Sequence, residues 1–449
     1  MSKLPTKWDR SLEFIQIRYT DVLGKFLARY LSTPADIEGF FRHGIGLDGS
    51  SVRGFAHKDD SDLLLLPDVA TSRTVPISKE RMVGTVIADV YEGFARGRLN
   101  TDPRYTSQRM QEHLEEKGML CQLGPEVECF ILDEIRFGAN GKQERATIIS
   151  FEQEGYGKHP IMKRAGYDCP PFQDSLIEFR FEVAEILKKY YSIDVTNVNH
   201  EVASGGQIEI NFNHAGLTQA ADNVQIFKDV VRNVAKSQNK VATFMPKPFF
   251  NDNKSSVKEA DNGSGMHVNV SIWQADGKRN LFFDTDDKYV ELSQFGRYFV
   301  GGILDHASSL SAIVAPTINS YKRLVPGFEA PIYMAWARGN RSAVVRVPAV
   351  ERNSAKSKRV EFRAPDPSAN PYLALSAIVA AGMDGIAKKR EPADPVNGKI
   401  STSCVRIKKK SPWHKTSSFK PRRGSLSTEE PLCVSSSILF CQRAFAVLP

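Results

Sequence analysis

The chain switches between stretches of strict apolar and polar alternation and longer stretches with helical spacing. The clearest alternation is MHVNVSI, which sets Met266, Val268, Val270 and Ile272 on one face of an extended chain and His267, Asn269 and Ser271 on the other. This pattern predicts a strand with one buried face and one wet face. An isolated histidine is by default an ordinary solvated side chain, so this strand alone assigns His267 no role.

Three further stretches follow the same pattern and place acidic side chains on the polar face. They are GPEVECF with Glu126 and Glu128, QIEINFN with Glu209, and RVEFR with Glu361. Each stretch alone is typical of a solvent-facing strand surface. If the four strands lie in one sheet, its polar face gathers these carboxylates around the histidine, and Glu201 of NHEVASGG is a further candidate.

Helical spacing predicts helices that alternate with these strands. It covers SQRMQEHLEEKG up to Gly118 and the ranges 218–243, 293–314 and 371–388. Earlier in the chain, short β-rich stretches separated by turn sequences such as GIGLDGSSVRGF indicate a small mixed domain over residues 1–104. Residues 105–397 form a larger domain of polar-faced strands backed by helices, so the predicted fold class is α+β.

Composition supports a globular protein. Of 449 residues, 41% are hydrophobic and 25% are charged, which is enough for two domains with cores of their own. No apolar stretch is long enough to cross a bilayer and the first residues carry no secretory pattern, so we expect a cytoplasmic protein without a membrane partner. The six cysteines show no CxxC pairing, which argues against a thiolate zinc site and against a disulfide framework.

The net charge of +8 belongs to the end of the chain. Residues 398–449 hold ten Lys or Arg against two Glu, whereas residues 1–397 hold fifty basic and fifty acidic residues. A nucleic-acid-binding function would rest on this tail alone, so we expect no nucleic-acid partner. The tail is also rich in Ser, holds three of the six cysteines and shows no sustained helical periodicity, a composition that packs poorly.

Five carboxylates and one imidazole on a single face need cations among them, because carboxylates in contact repel one another and raise one another's pKa. Oxygen ligands with one imidazole suit Mg or Mn, and a pair of such ions is common where phosphoryl oxygens are handled. Cationic side chains that bind carboxylates and phosphates cluster later in the chain, at Arg323, Arg338, Arg341, Arg346, Lys356, Arg359 and Arg363. The chain has no Walker A sequence and no kinase glycine loop, so any nucleotide is held in another way.

Seven strings over residues 12 to about 397 resemble, in order, the glutamine synthetase family in its prokaryotic class I form. They are LDGSSVRGF, GPEVECF, NHEVASGGQIEI, NGSGMHVNVSIW, NSYKRLVPGFEAP, NRSAVVRVP and VEFRAPDPSANPYLALSAIVAAGMDGI. The resemblance implies a β-grasp-like N-terminal domain and a catalytic domain with a curved antiparallel sheet backed by helices. It also implies a homo-oligomer of two stacked hexameric rings, with active sites between neighbouring subunits.

Motif by motif, the resemblance implies roles for particular residues. Metal ligands at one site match Glu128, Glu201 and Glu209, and those at the other match Glu126, His267 and Glu361. Glutamate contacts match Asn262, Gly263, His267, Arg323 and Arg363, and contacts to ATP and its phosphates match Ser271, Arg341, Arg346, Lys356 and Arg359. Glu329 matches a flap that shields the intermediate from water, and catalytic roles are implied for Asp48, Glu329 and Arg341. The ammonium site matches Tyr167, Glu201 and, from an adjacent subunit, Asp48.

The implied reaction uses ATP, glutamate and ammonia together with two or more divalent cations. The γ-phosphoryl group of ATP passes to the side-chain carboxylate of glutamate, and ammonia attacks the acyl phosphate to give glutamine. Two alternatives stay open. One is a ligase that joins glutamate to a larger amine such as a polyamine, because fold and ligand set do not fix the acceptor. The other is a non-catalytic assembly protein on the same fold, which would be expected to lose metal ligands.

The resemblance by motif ends near residue 398. What should follow is an acidic, helix-rich stretch with a C-terminal strap that locks one ring to the other, and residues 398–449 match none of it. We therefore predict that this stretch is an out-of-frame translation, which would weaken ring pairing while leaving the site intact, since all the metal-ligand candidates lie before residue 364. The alternative is a genuine basic extension.

Overall fold

The computed structural model describes residue 8 and residues 12–78, 80–93, 97–139, 144–153, 157–250 and 261–396. The basic tail over residues 398–449, with its predicted frame change, lies outside the described residues. Inside them, Cys121, Cys129 and Cys169 are free thiols, in agreement with the absence of a CxxC pattern. None of the helices in this part of the chain combines the length and the apolar character that a membrane span needs.

The N-terminal part of the chain forms a six-stranded sheet with one short helix. Its elements are β1 Phe14–Thr20, β2 Phe26–Ser32, α1 Ile37–His43, β3 Ile45–Asp48, β4 Asp62–Pro67, β5 Arg73–Pro76 and β6 Met82–Tyr91. The strand order is β2-β1-β6-β4-β3, and β5 also pairs with β6. β1 and β6 run parallel, whereas the other pairs are antiparallel. Alternation along β1 buries Ile15 and Ile17, which belong to a core that includes Phe40 and Phe41 of α1. The small mixed domain predicted here is therefore present.

The second sheet has eight strands. They are β7 Met119–Leu132, β10 Val195–His200, β11 Gln207–Phe212, β12 Val241–Thr243, β13 Met266–Gln274, β14 Tyr333–Ala337, β15 Ala343–Arg346 and β16 Val360–Phe362. The order is β10-β11-β7-β13-β16-β15-β14, with β12 also on β7; a separate hairpin pairs β8 Glu134–Ala139 with β9 Glu144–Ile149. We predicted an antiparallel sheet, but β14 and β15 run parallel. Alternation along a strand fixes its two faces and not the direction of its neighbour.

The described residues of this larger part form six α-helices. They are α2 Pro103–Glu116, α3 Ile177–Tyr191, α4 Leu217–Ser237, α5 Gln294–Val314, α6 Ile318–Arg323 and α7 Pro371–Ala387. The helix predicted over residues 218–243 ends early, because Asn239 takes a left-handed φ of 56°. The N–H of Lys240 bonds back to the Ala235 carbonyl at 2.7 Å, and residues 241–243 then pair with β7 as β12.

The four polar-faced strands predicted from the sequence are consecutive neighbours in the large sheet, in the order β11-β7-β13-β16. Their apolar faces lie in one core with α4, α5 and α7, in which Met266, Val268 and Val270 are fully buried. Each such side chain contributes roughly 1.5–3 kcal/mol on burial. A slip of one residue in register would turn His267 and its acidic neighbours into this core, so apolar packing specifies which side chains form the polar face.

One buried guanidinium joins the N-terminal part to the helices of the larger part. Arg104, in the first turn of α2, is only 4% exposed. It donates to Asp222 of α4 at 2.9 and 3.1 Å, to Asp89 of β6 at 2.6 Å and to Asp68 at 2.7 Å. The Tyr372 hydroxyl of α7 also donates to Asp222, at 2.6 Å. Three carboxylates from both parts of the chain thus contact one guanidinium, and Arg98 also pairs with Asp89, at 3.1 Å.

We expect Arg104→Met to destabilise the protein by about 3–5 kcal/mol, because removing one partner of a buried charge network leaves uncompensated carboxylates. The free energy of unfolding in urea measures this. Arg136→Met is the matched control: Arg136 pairs with Glu134 in an exposed position, so its loss should leave the unfolding midpoint unchanged. Equal, small effects of the two substitutions would contradict the role given to Arg104.

Candidate active site

Strand register brings the predicted acidic side chains together on the polar face of the large sheet. β7 lies at the centre and sets Glu128 opposite Glu209 of β11. Two residues earlier on the same strand, Glu126 stands opposite His267 of β13. β16, the neighbour of β13, adds Glu361. Because side chains alternate along each strand, these groups share the face that points away from the apolar core.

The first group, called here the imidazole cluster, consists of Glu126, His267 and Glu361. One ligand atom from each lies within 4.8 Å of the others. His267 Nδ1 is 3.5 Å from a Glu126 oxygen and 3.8 Å from a Glu361 oxygen, while Nε2 accepts from Arg323 at 3.4 Å. Burial lowers the pKa of His267 well below its ordinary value, and the nearby Arg363 lowers it further. A neutral imidazole has one lone pair, which here accepts from Arg323 at Nε2. To bind a metal beside Glu126 and Glu361, the ring would present that lone pair at Nδ1 and carry its proton on Nε2.

The second group, the carboxylate cluster, consists of Glu128, Glu201 and Glu209. Burial and then the Glu209 charge raise the pKa of Glu128 to about 8. Burial, followed by the Glu128 charge, raises the pKa of Glu201 to about 7. Burial and a hydrogen bond with Glu201 raise the pKa of Glu209 to about 9. Without a cation, these groups therefore hold protons that a divalent ion would displace.

The donor set of the two clusters fits divalent metal ions. Five carboxylates and one imidazole offer oxygen and nitrogen ligands of the kind that hard divalent cations prefer. The residues are also largely buried, and buried carboxylates without a cation are costly. The two clusters lie next to each other on β7, so each is suited to one cation of a pair.

Uncharged side chains orient two of these carboxylates, and the sequence analysis gave them no role. Gln207 Nε2 donates to Glu128 at 2.8 Å. Asn269 Nδ2 donates to Glu126 at 2.9 Å. Each lies two residues from a ligand candidate on the same face of its strand, and this spacing is the signal from which they could have been identified.

Arginines surround the clusters. Arg323 is 3% exposed and donates to the backbone carbonyls of Ala364 at 3.1 Å and Arg363 at 3.2 Å. Arg346 and Arg363 each donate to Glu361, the former at 2.8 Å. These guanidinium groups place positive charge where an anionic substrate would meet the metal ligands.

The two clusters and most of the predicted site residues line one polar cavity of about 230 Å³. The predicted residues that it brings together are Glu126, Glu128, Tyr167, Glu201, Glu209, Asn262, Gly263, His267, Arg323, Glu329, Arg341, Arg346, Glu361 and Arg363. These residues are scattered over more than two hundred positions of the sequence, so their convergence is a property of the fold.

A second cavity, of about 570 Å³, holds the other predicted nucleotide contacts, Ser271, Lys356 and Arg359. Arg359 Nε donates to Asn269 at 2.9 Å, which ties this cavity to the strand that carries His267. Glu126, Asn197 and Asn211 line both cavities, so the two adjoin along the polar face of the sheet.

Two residues named in the sequence analysis lie elsewhere. Asp48 lines neither cavity: it is an exposed residue at the end of β3. Its carboxylate accepts from the Ser50 N–H at 2.9 Å and from the hydroxyls of Ser50 and Ser51 at 2.7 Å, and these hydrogen bonds lower the pKa of Asp48. Arg338, which we grouped with the other arginines, lies over the Tyr289 ring, 5.7 Å from its centroid.

Asp261, another residue that the sequence analysis missed, fastens the loop that carries Asn262 and Gly263. Its buried carboxylate accepts from Ser204 N and Oγ at 2.7 and 2.6 Å and from Arg164 N at 3.3 Å. A Cβ at Gly263 would lie 2.4 Å from the Pro246 carbonyl oxygen, so only glycine permits this close approach. No periodicity marks Asp261, because it lies in a loop.

The family models that match the chain describe two adjacent domains. Residues 11–93 match "Glutamine synthetase, beta-Grasp domain", and residues 100–411 match "Glutamine synthetase, catalytic domain". The second match continues past residue 397, where the resemblance by motif ends, and leaves residues 412–449 outside both models.

Similar proteins agree with these matches. A glutamine synthetase of Sulfolobus acidocaldarius is 41% identical over 415 residues, which cover 89% of this chain and 85% of the relative. One of Archaeoglobus fulgidus is 40% identical over 375 residues, covering 79% and 74%. The cryo-EM structure of Plasmodium falciparum glutamine synthetase has a TM-score of 0.78 at 27% identity and covers 88% of this chain and 76% of that one.

A β-grasp domain, a curled mixed sheet and a polar cavity lined with carboxylates and arginines thus accompany two family models and relatives matched over most of the chain. The chain therefore belongs to the glutamine synthetase family, as an ATP- and divalent-cation-dependent ligase that joins ammonia to L-glutamate and gives L-glutamine, ADP and phosphate.

Proposed function

We propose that this chain carries out the glutamine synthetase reaction with two cations, Mg or Mn, held one in the imidazole cluster and one in the carboxylate cluster. The observation that supports this most is the register of β7, which aligns ligand candidates from both neighbouring strands on one face. Bound there, the cations would neutralise the carboxylates and stabilise charge on the phosphoryl oxygens.

The two cavities suggest how the substrates are divided. We assign ATP to the second cavity, with Ser271, Lys356 and Arg359 as contacts. We assign glutamate to the first cavity, gripped by Arg323 and Arg363 and by the Asn262–Gly263 loop. Arg341 and Arg346 then stand beside the γ-phosphoryl group as it crosses from one cavity to the other, where guanidinium groups stabilise developing charge. The transfer itself is mainly a matter of positioning and electrostatics.

Ammonium capture is assigned to the acidic end of the first cavity. Tyr167 and Glu201 line it together, and a carboxylate there attracts the ammonium cation and accepts its proton. Asp48 is the third member by resemblance, and it must come from an adjacent subunit because within one chain it lies outside both cavities. Glu329, which also lines the first cavity, would cover the acyl phosphate and keep water from it.

The same proposal includes the assembly and its compartment. Subunits are expected to form two stacked hexameric rings, in which residues 1–104 of one subunit complete the site on residues 105–397 of the next. A cytoplasmic location agrees with the free thiols of Cys121, Cys129 and Cys169. The limits of the two domains and the out-of-frame origin of residues 398–449 belong to this proposal as well.

Either of two substitutions, Glu128→Ala or Glu361→Ala, should lower the rate of glutamine formation more than about a hundredfold, a loss of at least about 2.7 kcal/mol of transition-state stabilisation. The assay follows ADP and glutamine with glutamate, ammonia, ATP and Mg or Mn. Glu116→Ala, an exposed glutamate of α2, is the matched control and should keep the wild-type rate.

Near-wild-type turnover by either ligand variant would contradict the metal assignment.

The same assay tests the amine acceptor. Because the relatives are named glutamine synthetases, we favour ammonia as the acceptor over a larger amine. Because all six metal-ligand candidates line one cavity, we do not favour a non-catalytic assembly protein. A rate with putrescine above the rate with ammonia would instead favour a ligase for a larger amine.

The metal-free enzyme should lose stability as the pH rises from about 5 to about 9. Glu128, Glu201 and Glu209 have folded-state pKa values of about 8, 7 and 9, above their ordinary 4.5. A raised pKa means that the folded state holds extra protons, so the stability they provide is complete below the ordinary pKa and disappears as pH passes the folded value. Thermal unfolding with a chelator measures this fall.

A saturating divalent cation should remove most of the fall, because the cation replaces the protons as the neutralising charge. Glu209→Gln should also reduce it without metal, since the amide does not titrate. If the melting temperature depends on pH in the same way in wild type with metal, wild type without metal and Glu209→Gln, the three glutamates do not hold the extra protons, and the prediction is contradicted.

Complementation between inactive subunits tests the shared site. If Asp48 acts across a subunit boundary, Asp48→Ala and Glu361→Ala subunits, unfolded and reassembled together in equal amounts, should recover about a quarter of wild-type activity, because about a quarter of neighbouring pairs draw an intact residue from each side. Each variant reassembled alone is the control. Mixed assemblies as inactive as their parents would contradict a site shared between subunits.

A further inference from the structure

Two segments that line the active site meet at one buried lysine, Lys247, which is 1% exposed. Asn319 of α6 holds its backbone at both polar groups: the Lys247 N–H donates to Asn319 Oδ1 at 2.6 Å and the carbonyl accepts from Asn319 Nδ2 at 3.0 Å. Its aliphatic stem runs beside Gly263, where an added Cβ would lie 3.0 Å from Lys247 Cδ. The lysine is therefore fixed in place and its stem packs against the glutamate-binding loop.

The amino group of Lys247 points at an aromatic ring. It has no hydrogen-bond partner among the described residues, and Nζ lies 3.3 Å from the centroid of Phe328. Burial lowers the pKa of Lys247 to about 7, and the Asp261 carboxylate acts in the opposite sense. A ring face attracts the ammonium form, most strongly where water is excluded, so it too favours the charged state. Arg164 Cζ lies 4.5 Å from the same centroid.

Phe328 immediately precedes Glu329, the residue assigned to the flap. Gly327 has a left-handed φ of 92°, so a glycine is required at the turn that brings Phe328 inward. The ring is half-buried and Glu329 is exposed, and both residues line the first cavity. The Glu329 carbonyl accepts from Arg363 Nη2 at the long distance of 3.5 Å, so the main anchors of this segment are the Phe328 ring before Glu329 and the buried Ala330 after it.

We propose that Lys247 and Phe328 form a cation–aromatic clasp that holds Glu329 over the active site and links its position to the Asn262–Gly263 loop. The inference rests on the proposed role of Glu329. We assign both as positioning residues, because Lys247 does not line the first cavity and the Phe328 ring, which does, carries no group that takes part in the reaction. The contact between the lysine and the ring joins two loops that must close together when glutamate is bound. A cation–aromatic contact is also weak enough to break when the product leaves.

An open clasp has a defined chemical consequence. Water reaches the acyl phosphate, its oxygen bonds to the acyl carbon, and the bond from that carbon to the phosphate oxygen breaks. Glutamate and inorganic phosphate result, so the net reaction is hydrolysis of ATP to ADP and phosphate without formation of glutamine. The ratio of ADP released to glutamine formed therefore reports on the clasp. It does not depend on how much of a preparation is folded, which separates positioning from general destabilisation.

The experiment measures this ratio in the full-length enzyme with saturating glutamate, ATP, ammonia and Mg or Mn. We expect a ratio near one for the wild type and an increase of at least about twofold for Phe328→Leu and Lys247→Met, which remove the ring and the charge at similar size. Phe328→Tyr and Lys247→Arg keep ring and charge and should stay near one. Lys322→Met is the matched control, because Lys322 Nζ lies 4.7 Å from the Phe250 ring and neither residue lines the site.

Glu329→Gln distinguishes the shielding role of Glu329 from the role of the clasp that positions it. If Glu329→Gln raises the ratio while Phe328→Leu and Lys247→Met stay near one, the flap shields the intermediate without the clasp, and the inference is overturned. If Glu329→Gln also stays near one, the shielding role itself fails and the clasp fails with it. A ratio that rises equally in Lys322→Met would show that loss of any neighbouring lysine is sufficient, and would also overturn it.

Discussion

Repulsion among carboxylates on one face of a sheet is the constraint on which the rest of this structure depends. Glu126, Glu128, Glu209 and Glu361 come from three strands that cannot move apart, because their other faces are packed in the main core. Glu201, from the loop after β10, completes the set. Burial and the neighbouring carboxylates raise the pKa values of Glu128, Glu201 and Glu209, and a cation among them would relieve this repulsion. Apolar packing on one side of the sheet thereby supplies the energy that holds an unfavourable arrangement on the other.

Amide and guanidinium side chains donate hydrogen bonds to several of these carboxylates. Gln207 and Asn269 each donate to a carboxylate, and Arg346 and Arg363 both donate to Glu361. These contacts orient the oxygens before any cation arrives, as outer partners of metal ligands commonly do.

A few buried polar side chains hold the loops around the clusters in place. Asp261 joins three of them through Ser204, Arg164 and its own loop, and Lys247 packs beside Gly263 and extends its amino group to the Phe328 ring. Such anchors fix backbone that has no regular secondary structure, and they leave the exposed side chains free to meet substrate. Arg104 serves a comparable purpose between the N-terminal part and the helices of the larger part, where it contacts three carboxylates.

The sequence by itself determined the local patterns: which strands have one polar face, that His267 and Glu126 lie on such faces, and where α2, α5 and α7 occur. Those features depend on the two periods of side-chain direction, which neighbours along the chain decide. Tertiary structure alone decided that β11, β7, β13 and β16 are adjacent and which residues face each other across them. It also decided that β14 and β15 run parallel, that α4 ends at Ser237, and that Asp261 and Lys247 contact the loops beside the first cavity. Register, strand direction and loop contacts arise between residues far apart in sequence, so no local periodicity encodes them.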